Sequence, residues 1–223
     1  MPRRPHLGSL LALALATAIA ARAAHAERPA SEHAPTLADG THPSTLVHVE
    51  PRALLTPPLL HALGLMTGMR LSEAYLWPQP FAETRPLDLG LHYQAAFSRP
   101  PLWDGSRPLF EEDGDRWQIN VLGHGLFGSE LYLRARTCRF AAWQALVFAG
   151  AASATWEYGF EASGVRPSAL DLTFTPAAGL LLGEARYQAW RAARRLSPGA
   201  LRATLSWLVD PLGDVERALG SPC

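Results

Sequence analysis

Apolar positions between residues 115 and 195 recur at helical rather than strand spacing, in three segments, each carrying one stripe of polar or small residues. The first runs from Arg116 to Arg136, with Trp117, Leu131, Tyr132 and Ala135 among its apolar positions. The second, Phe140 to Ala162, is apolar almost throughout until Glu157, and Gly164 and Pro167 separate it from the third. That third segment opens at Ser168 with Asp171 three residues on, the capping-box arrangement. It is kinked or restarted at Thr175-Pro176, because proline removes a helix hydrogen bond, and continues to about Arg195. Upstream, Pro57-Pro58 opens a helix through Leu59, Leu60, Leu63 and Met66 to about Leu76, with proline where its missing N–H costs little. Trp77-Pro78-Gln79-Pro80 ends it; Leu87–Phe97 reads as a short helix and Ser98–Gly114 as loop. Downstream, Ser197-Pro198 restarts the helix and Asp210-Pro211 begins a last short turn. The pattern predicts an all-α fold: a compact helical bundle with a kinked third core helix, preceded by a flexible lead-in.

The termini divide the rest. Arg3 and Arg4, the apolar run Leu10–Ala20 and Ala24-His25-Ala26 have the layout of a secretory signal over residues 1–26. Residues 27–57 form the lead-in, with a short strand at Ser44–Val49; 58–219 form the helical domain, with its core at 115–195; 220–223 are a tail. The expected location is therefore outside the cytoplasm, in the periplasm or at the periphery of the outer membrane. Net charge is zero over the chain, and removing Arg3, Arg4 and Arg22 leaves the mature protein slightly acidic. That balance argues against a nucleic-acid partner, which requires clustered positive charge. The two cysteines, Cys138 and Cys223, are no disulfide framework; an exported protein can oxidise such a pair, but Cys223 sits on a Gly-Ser-Pro tail, so two free thiols are preferred and a bridge stays open.

The stripes carry whatever chemistry there is. Asn120, His124 and Gly128 stand at i, i+4, i+8; Ser153, Glu157 and Glu161 repeat the spacing; Asp171, Thr175, Gly179 and Gly183 repeat it again. Gly128, Gly179 and Gly183 are candidates for close helix packing, and carboxylates in the same stripes would be drawn into the interface, where they need partners. Asn120, His124, Glu157, Glu161, Asp171 and Thr175 are the expected polar network. Three readings compete. In the preferred one the network is structural and fixes helix register. In the second the histidine and carboxylates hold a hard metal ion, against which stands the lack of any HExxH, ExxH or cysteine pair. In the third His124 is a base oriented by Glu157, with Glu161 and Asp171 as further catalytic candidates, though no nucleophile motif accompanies them. No cofactor or metal is implied by motif. His61 and His92 have no second ligand at i+3 or i+4 and read as packing or surface histidines.

Taken together, Asp115-x4-Asn120-x3-His124-x3-Gly128-x3-Tyr132-x3-Arg136, Trp156-Glu157-Tyr158-x2-Glu161, Pro167-Ser168-x2-Asp171-Leu172 and Thr175-Pro176-x2-Gly179-x3-Gly183-Glu184 resemble a bacterial envelope family, the domain of unknown function 3943. The chain departs from that pattern at Gly125, where proline is expected. The His, Glu and Asp-Leu order is more weakly similar to VanZ-like membrane proteins. The resemblance implies an exported helical protein and supplies no activity. Phe140–Trp156 is short for a membrane span, whereas Arg186–Trp207 mixes Tyr187, Trp190, Leu201, Leu205 and Trp207 with Arg186, Arg191, Arg194, Arg195 and Arg202, the pattern either of a helix lying on an anionic membrane surface or, equally, of a solvated helix whose long Arg stems cover the core. The sequence thus points to a non-enzymatic, membrane-peripheral envelope protein with an assembly or interaction role, whose partners are a membrane surface or envelope proteins. The alternative is an envelope hydrolase or metal-dependent enzyme using the same cluster.

Overall fold

Helix α1 (Thr56–Leu76) starts on the proline pair, and a short helical turn, Pro78–Phe81, follows it. Helix α2 spans Pro86–Ser98, again with proline at its start. These assignments come from a computed structural model that describes residues 52–82 and 85–223, the side chains of 79 and 80 excepted. The signal segment 1–26, the Ser44–Val49 strand and the lead-in up to residue 51 lie outside the described residues.

Residues 99–116 are loop, pinned where Leu102 N–H donates to Pro167 O (2.7 Å) and Leu102 O accepts from Ala169 N–H (3.0 Å). The three core segments are helical as expected, but each contains a π turn. Gln118–Gly123 is π-helical before α3 (His124–Thr137); α4 (Ala142–Thr155) continues as a π turn, Trp156–Phe160, and a 3-10 turn, Glu161–Ser163. Helix α5 (Ala169–Ala178) contains Pro176 and passes through the π turn Gly179–Gly183 into α6 (Glu184–Arg194). Helices α7 (Ala200–Val209) and α8 (Pro211–Ala218) follow. Among the described residues there is no strand, and the fold is an all-α bundle.

Helix α3 is the axis. Phe127 to Ala135 are buried without a break, so this helix is covered on every side. One side meets the apolar core, in which Ala62 and Met66 of α1, Phe127, Leu131 and Tyr132 of α3, and Ala145, Ala149, Ala152 and Trp156 of the α4 segment pack together. Another meets α5 at backbone distance. A Cβ on Gly128 would lie 2.0 Å from Thr175 O, one on Gly179 would lie 2.8 Å from Gly128 O, and one on Gly183 would lie 2.8 Å from Tyr132 Cβ. Only glycine admits that approach, so the first two form a mutual contact between α3 and the α5 segment.

The third side of α3 is polar and is closed by charge pairing. Arg134 is fully buried and donates to Asp210 Oδ1 at 3.0 Å; Arg217 stands 2.9 Å from Asp210 Oδ2, and Asp210 also caps α8 by accepting from Gly213 N–H. Arg186 donates to Glu130 Oε2 (2.6 Å) and Ser129 Oγ (2.7 Å). His61 joins this network through Glu216, and His92 Nδ1 lies 2.7 Å from Ser163 O, so both histidines have packing partners. Of the two alternatives for the cysteines the less favoured one holds: Cys138 and Cys223 form a disulfide, with their Cα atoms 4.9 Å apart. Sequence alone left the pairing open because α8 turns the tail back onto the buried end of α3, a route no local pattern encodes.

Candidate functional site

The polar stripes of the three core segments turn toward one another. His124 begins α3, Glu157 and Glu161 sit on the π and 3-10 turns that extend α4, and Asp171 and Thr175 lie on α5. His124, Glu157 and Asp171 are 6%, 1% and 2% exposed, and one ligand atom from each lies within 4.8 Å of the others. His124 Nδ1 is 3.1 Å from Thr175 Oγ1, and its Nε2 is 3.6 Å from Asp171 Oδ2, too far for a hydrogen bond. Asn120, fully buried on the first π turn, donates from Nδ2 to Phe110 O and Asp113 Oδ1, both at 2.9 Å. Phe110 holds a left-handed backbone (φ 65°), which costs a bulky residue energy and aims its carbonyl at Asn120.

Ser168 organises the entrance to α5. Its hydroxyl accepts from Asp171 N–H (3.1 Å), as an N-cap should, and donates to Asp113 Oδ2 (2.7 Å). The second half of a capping box is absent. The Ser168 N–H is taken by Glu157 Oε2 of the neighbouring segment at 2.7 Å, which leaves the Asp171 carboxyl free to face the cluster. Ser153 Oγ adds a bond to Asp171 O (3.2 Å).

The electrostatics are those of acid crowded on acid. Burial, followed by the charge of neighbouring carboxylates, pushes Asp171 up to about 9, and burial pushes Glu157 up to about 8. Glu161 is held well above its ordinary value by burial and then by Glu157. Burial lowers His124 to about 4, the charge of Asp113 opposing, so the imidazole is neutral at pH 7. Burial works against Asp113 too, but hydrogen bonds from Ser168 and Asn120 keep its carboxyl below the usual range. Asp113 acts on Asp171, and Glu157 on Glu161, in the direction that keeps a proton on the buried acid. Among the described residues, Glu157 Oε1, Asp171 Oδ1 and Asn120 Oδ1 meet no N–H or O–H donor.

All six residues of the expected polar network are thus buried in one neighbourhood, and Gly128 and Gly179 bring its helices together. Sequence reasoning missed Asp113 and Glu73. Asp113 lies in an aperiodic loop whose only signal is the acidic run from Glu111 to Asp115. Glu73, on α1, adds its charge to Glu161 and is itself raised to about 7 by burial, with Arg70 opposing.

Residues 109–212, the stretch that holds this cluster, match the family model described as a domain of unknown function (DUF3943). The chain carries a DUF3943 domain. The match takes in Asn120, His124, Glu157, Asp171, Thr175 and the three packing glycines. It does not show the weaker VanZ-like likeness. No curated protein and no solved structure matches the chain.

Proposed function

We propose that this chain is an exported protein of the cell envelope, in the periplasm or at the periphery of the outer membrane, which engages a membrane surface or envelope proteins and catalyses no reaction itself. Burial carries the non-enzymatic part: His124, Glu157, Glu161 and Asp171 each expose less than a tenth of their surface. A general acid or base must come within hydrogen-bond reach of its substrate, and burial closes these groups off from one. The interaction role is supported by apolar side chains left uncovered at helical spacing. Ile119, Leu122 and Leu126 stand exposed at i, i+3 and i+7, and Trp143 and Val147 at i and i+4. Beside Tyr187 and Trp190, Arg191 and Arg194 stand exposed with cation–π contacts to those rings. No helix among the described residues is long and apolar enough to cross a membrane.

Fractionation of cell envelopes tests this reading. The protein should sediment with membranes and come off in high salt or carbonate; retention after carbonate, or absence from the envelope, refutes it. The perturbed acids and neutral imidazole favour one second reading, an envelope hydrolase or metal-dependent enzyme, since such shifts gather at reactive sites. It gains if Glu157→Gln and His124→Ala leave the protein folded and abolish a cellular phenotype.

A further inference from the structure

We propose that His124, Glu157 and Asp171 bind one divalent first-row transition ion, of the Zn2+ or Mn2+ kind, that ties α3, α4 and α5 together. The three are all buried, come from three segments and bring one ligand atom each to within 4.8 Å of the others. At metal–ligand bonds of about 2.0–2.2 Å, two atoms on one ion stand at most about 4.4 Å apart. The 3.6 Å between His124 Nε2 and Asp171 Oδ2 fits directly, and the widest pair has only a few tenths of an ångström to close.

Proximity of acids alone would not argue for an ion. The second observation is the set of bare oxygens: Glu157 Oε1, Asp171 Oδ1 and Asn120 Oδ1 belong to side chains at most 2% exposed and meet no donor among the described residues. A buried acceptor without a donor costs free energy that a cation relieves. The remaining atoms are set up as orienting groups. Thr175 Oγ1 can accept from His124 Nδ1–H, which leaves the Nε2 lone pair directed toward Asp171; the Ser168 N–H holds Glu157 Oε2. Among the described residues no arginine pairs with any of the three; Arg70 Nη2 donates instead to Phe81 O and Ser163 Oγ. An imidazole beside carboxylates selects a transition ion over Mg2+ or Ca2+, which prefer oxygen alone. The spacing of 33 and then 14 residues between these ligands matches no short metal motif, so the site is invisible in sequence.

The test uses the full mature chain, stripped with chelator and reloaded with Zn2+ or Mn2+. About one ion per chain should survive removal of excess metal, and Tm should rise by about 5–10 °C at a hundredfold excess of free ion over Kd. Glu157→Gln and Asp171→Asn should bind at least tenfold more weakly and lose the rise. Their metal-free Tm should equal or exceed that of wild type, because each removes a crowded acid; a merely structural network predicts the opposite sign. Failure of wild type to retain a stoichiometric ion overturns the proposal, as does retention undiminished in both variants, which would place the metal on His33, His42 or His48 of the lead-in. Should a variant fail to fold, Zn2+ titration of wild type labelled at histidine nitrogen decides instead. The His124 ring must shift, and changes confined to other histidines overturn the site.

Discussion

Gly128→Ala tests the close approach of α3 and α5 on which the cluster depends. An added Cβ would stand 2.0 Å from Thr175 O and 2.9 Å from Thr175 C. Carbon and carbonyl oxygen normally approach no closer than about 3.3 Å, so the two helices must part by roughly 1 Å. The obstacle is backbone, which no rotamer change can move aside. Overpacking of this kind costs about 1–3 kcal/mol, and a backbone clash belongs at the upper end. Alanine returns about 1 kcal/mol through its better helix propensity. The net loss is about 2 kcal/mol, or about 4–8 °C in Tm for a chain of this size. Thermal unfolding followed by far-ultraviolet circular dichroism measures it, with Gly64→Ala as control. Gly64 also lies inside a helix but has nothing within 4 Å of its virtual Cβ, so that variant should be neutral or slightly stabilised. A Gly128→Ala protein that melts at or above the wild-type temperature refutes the backbone contact, and with it the convergence of the stripes.

Three further outcomes follow from the same geometry. Asp210→Ala strands the fully buried Arg134 and removes the cap of α8, so urea unfolding should show a loss of about 3–5 kcal/mol; a loss under about 1 kcal/mol would mean the pair is not buried as described. Cys223→Ser should lower stability by about 2–4 kcal/mol and abolish the effect of reductant on Tm, because the disulfide closes a separation of 85 residues; a wild-type Tm indifferent to reductant counts against the bridge. Glu73, raised by burial from 4.5 to about 7, holds a proton in the folded state that the unfolded chain has released. Its contribution is therefore present below pH 4.5 and lost as pH rises through about 7. Glu73→Gln should flatten the fall of Tm across that window, and an unchanged slope would show that Glu73 is not perturbed.

Helix positions were legible because helix formation is local. The starts at Pro57-Pro58, Ser168 and Asp210-Pro211 are signalled by residues within one turn, and the helices begin there. The π turns were not legible. The stretch from Trp156 to Phe160 reads as ordinary helix, and its widening shows only in the tertiary structure. Asp113 escaped for a related reason: a loop has no period to project, and Asp113 is carried to Ser168 by the pairing of Leu102 with Pro167 and Ala169.

Spacing along the chain determined which residues share a helix face: Asn120 with His124 and Gly128, Ser153 with Glu157 and Glu161, Asp171 with Thr175. It could also mark Ser168 as a cap, since the bond from its hydroxyl to Asp171 N–H spans three residues. Which acids would meet was decided only in three dimensions. The Ser168 N–H had two suitors, Asp171 in its own helix and Glu157 from α4, and packing gave it to Glu157. Asp171 was thereby left facing His124 rather than closing its own capping box. Local chemistry proposes a partner within one turn, but a buried interface lets a group eleven residues away compete for the same proton, and burial makes the winner's bond count for more.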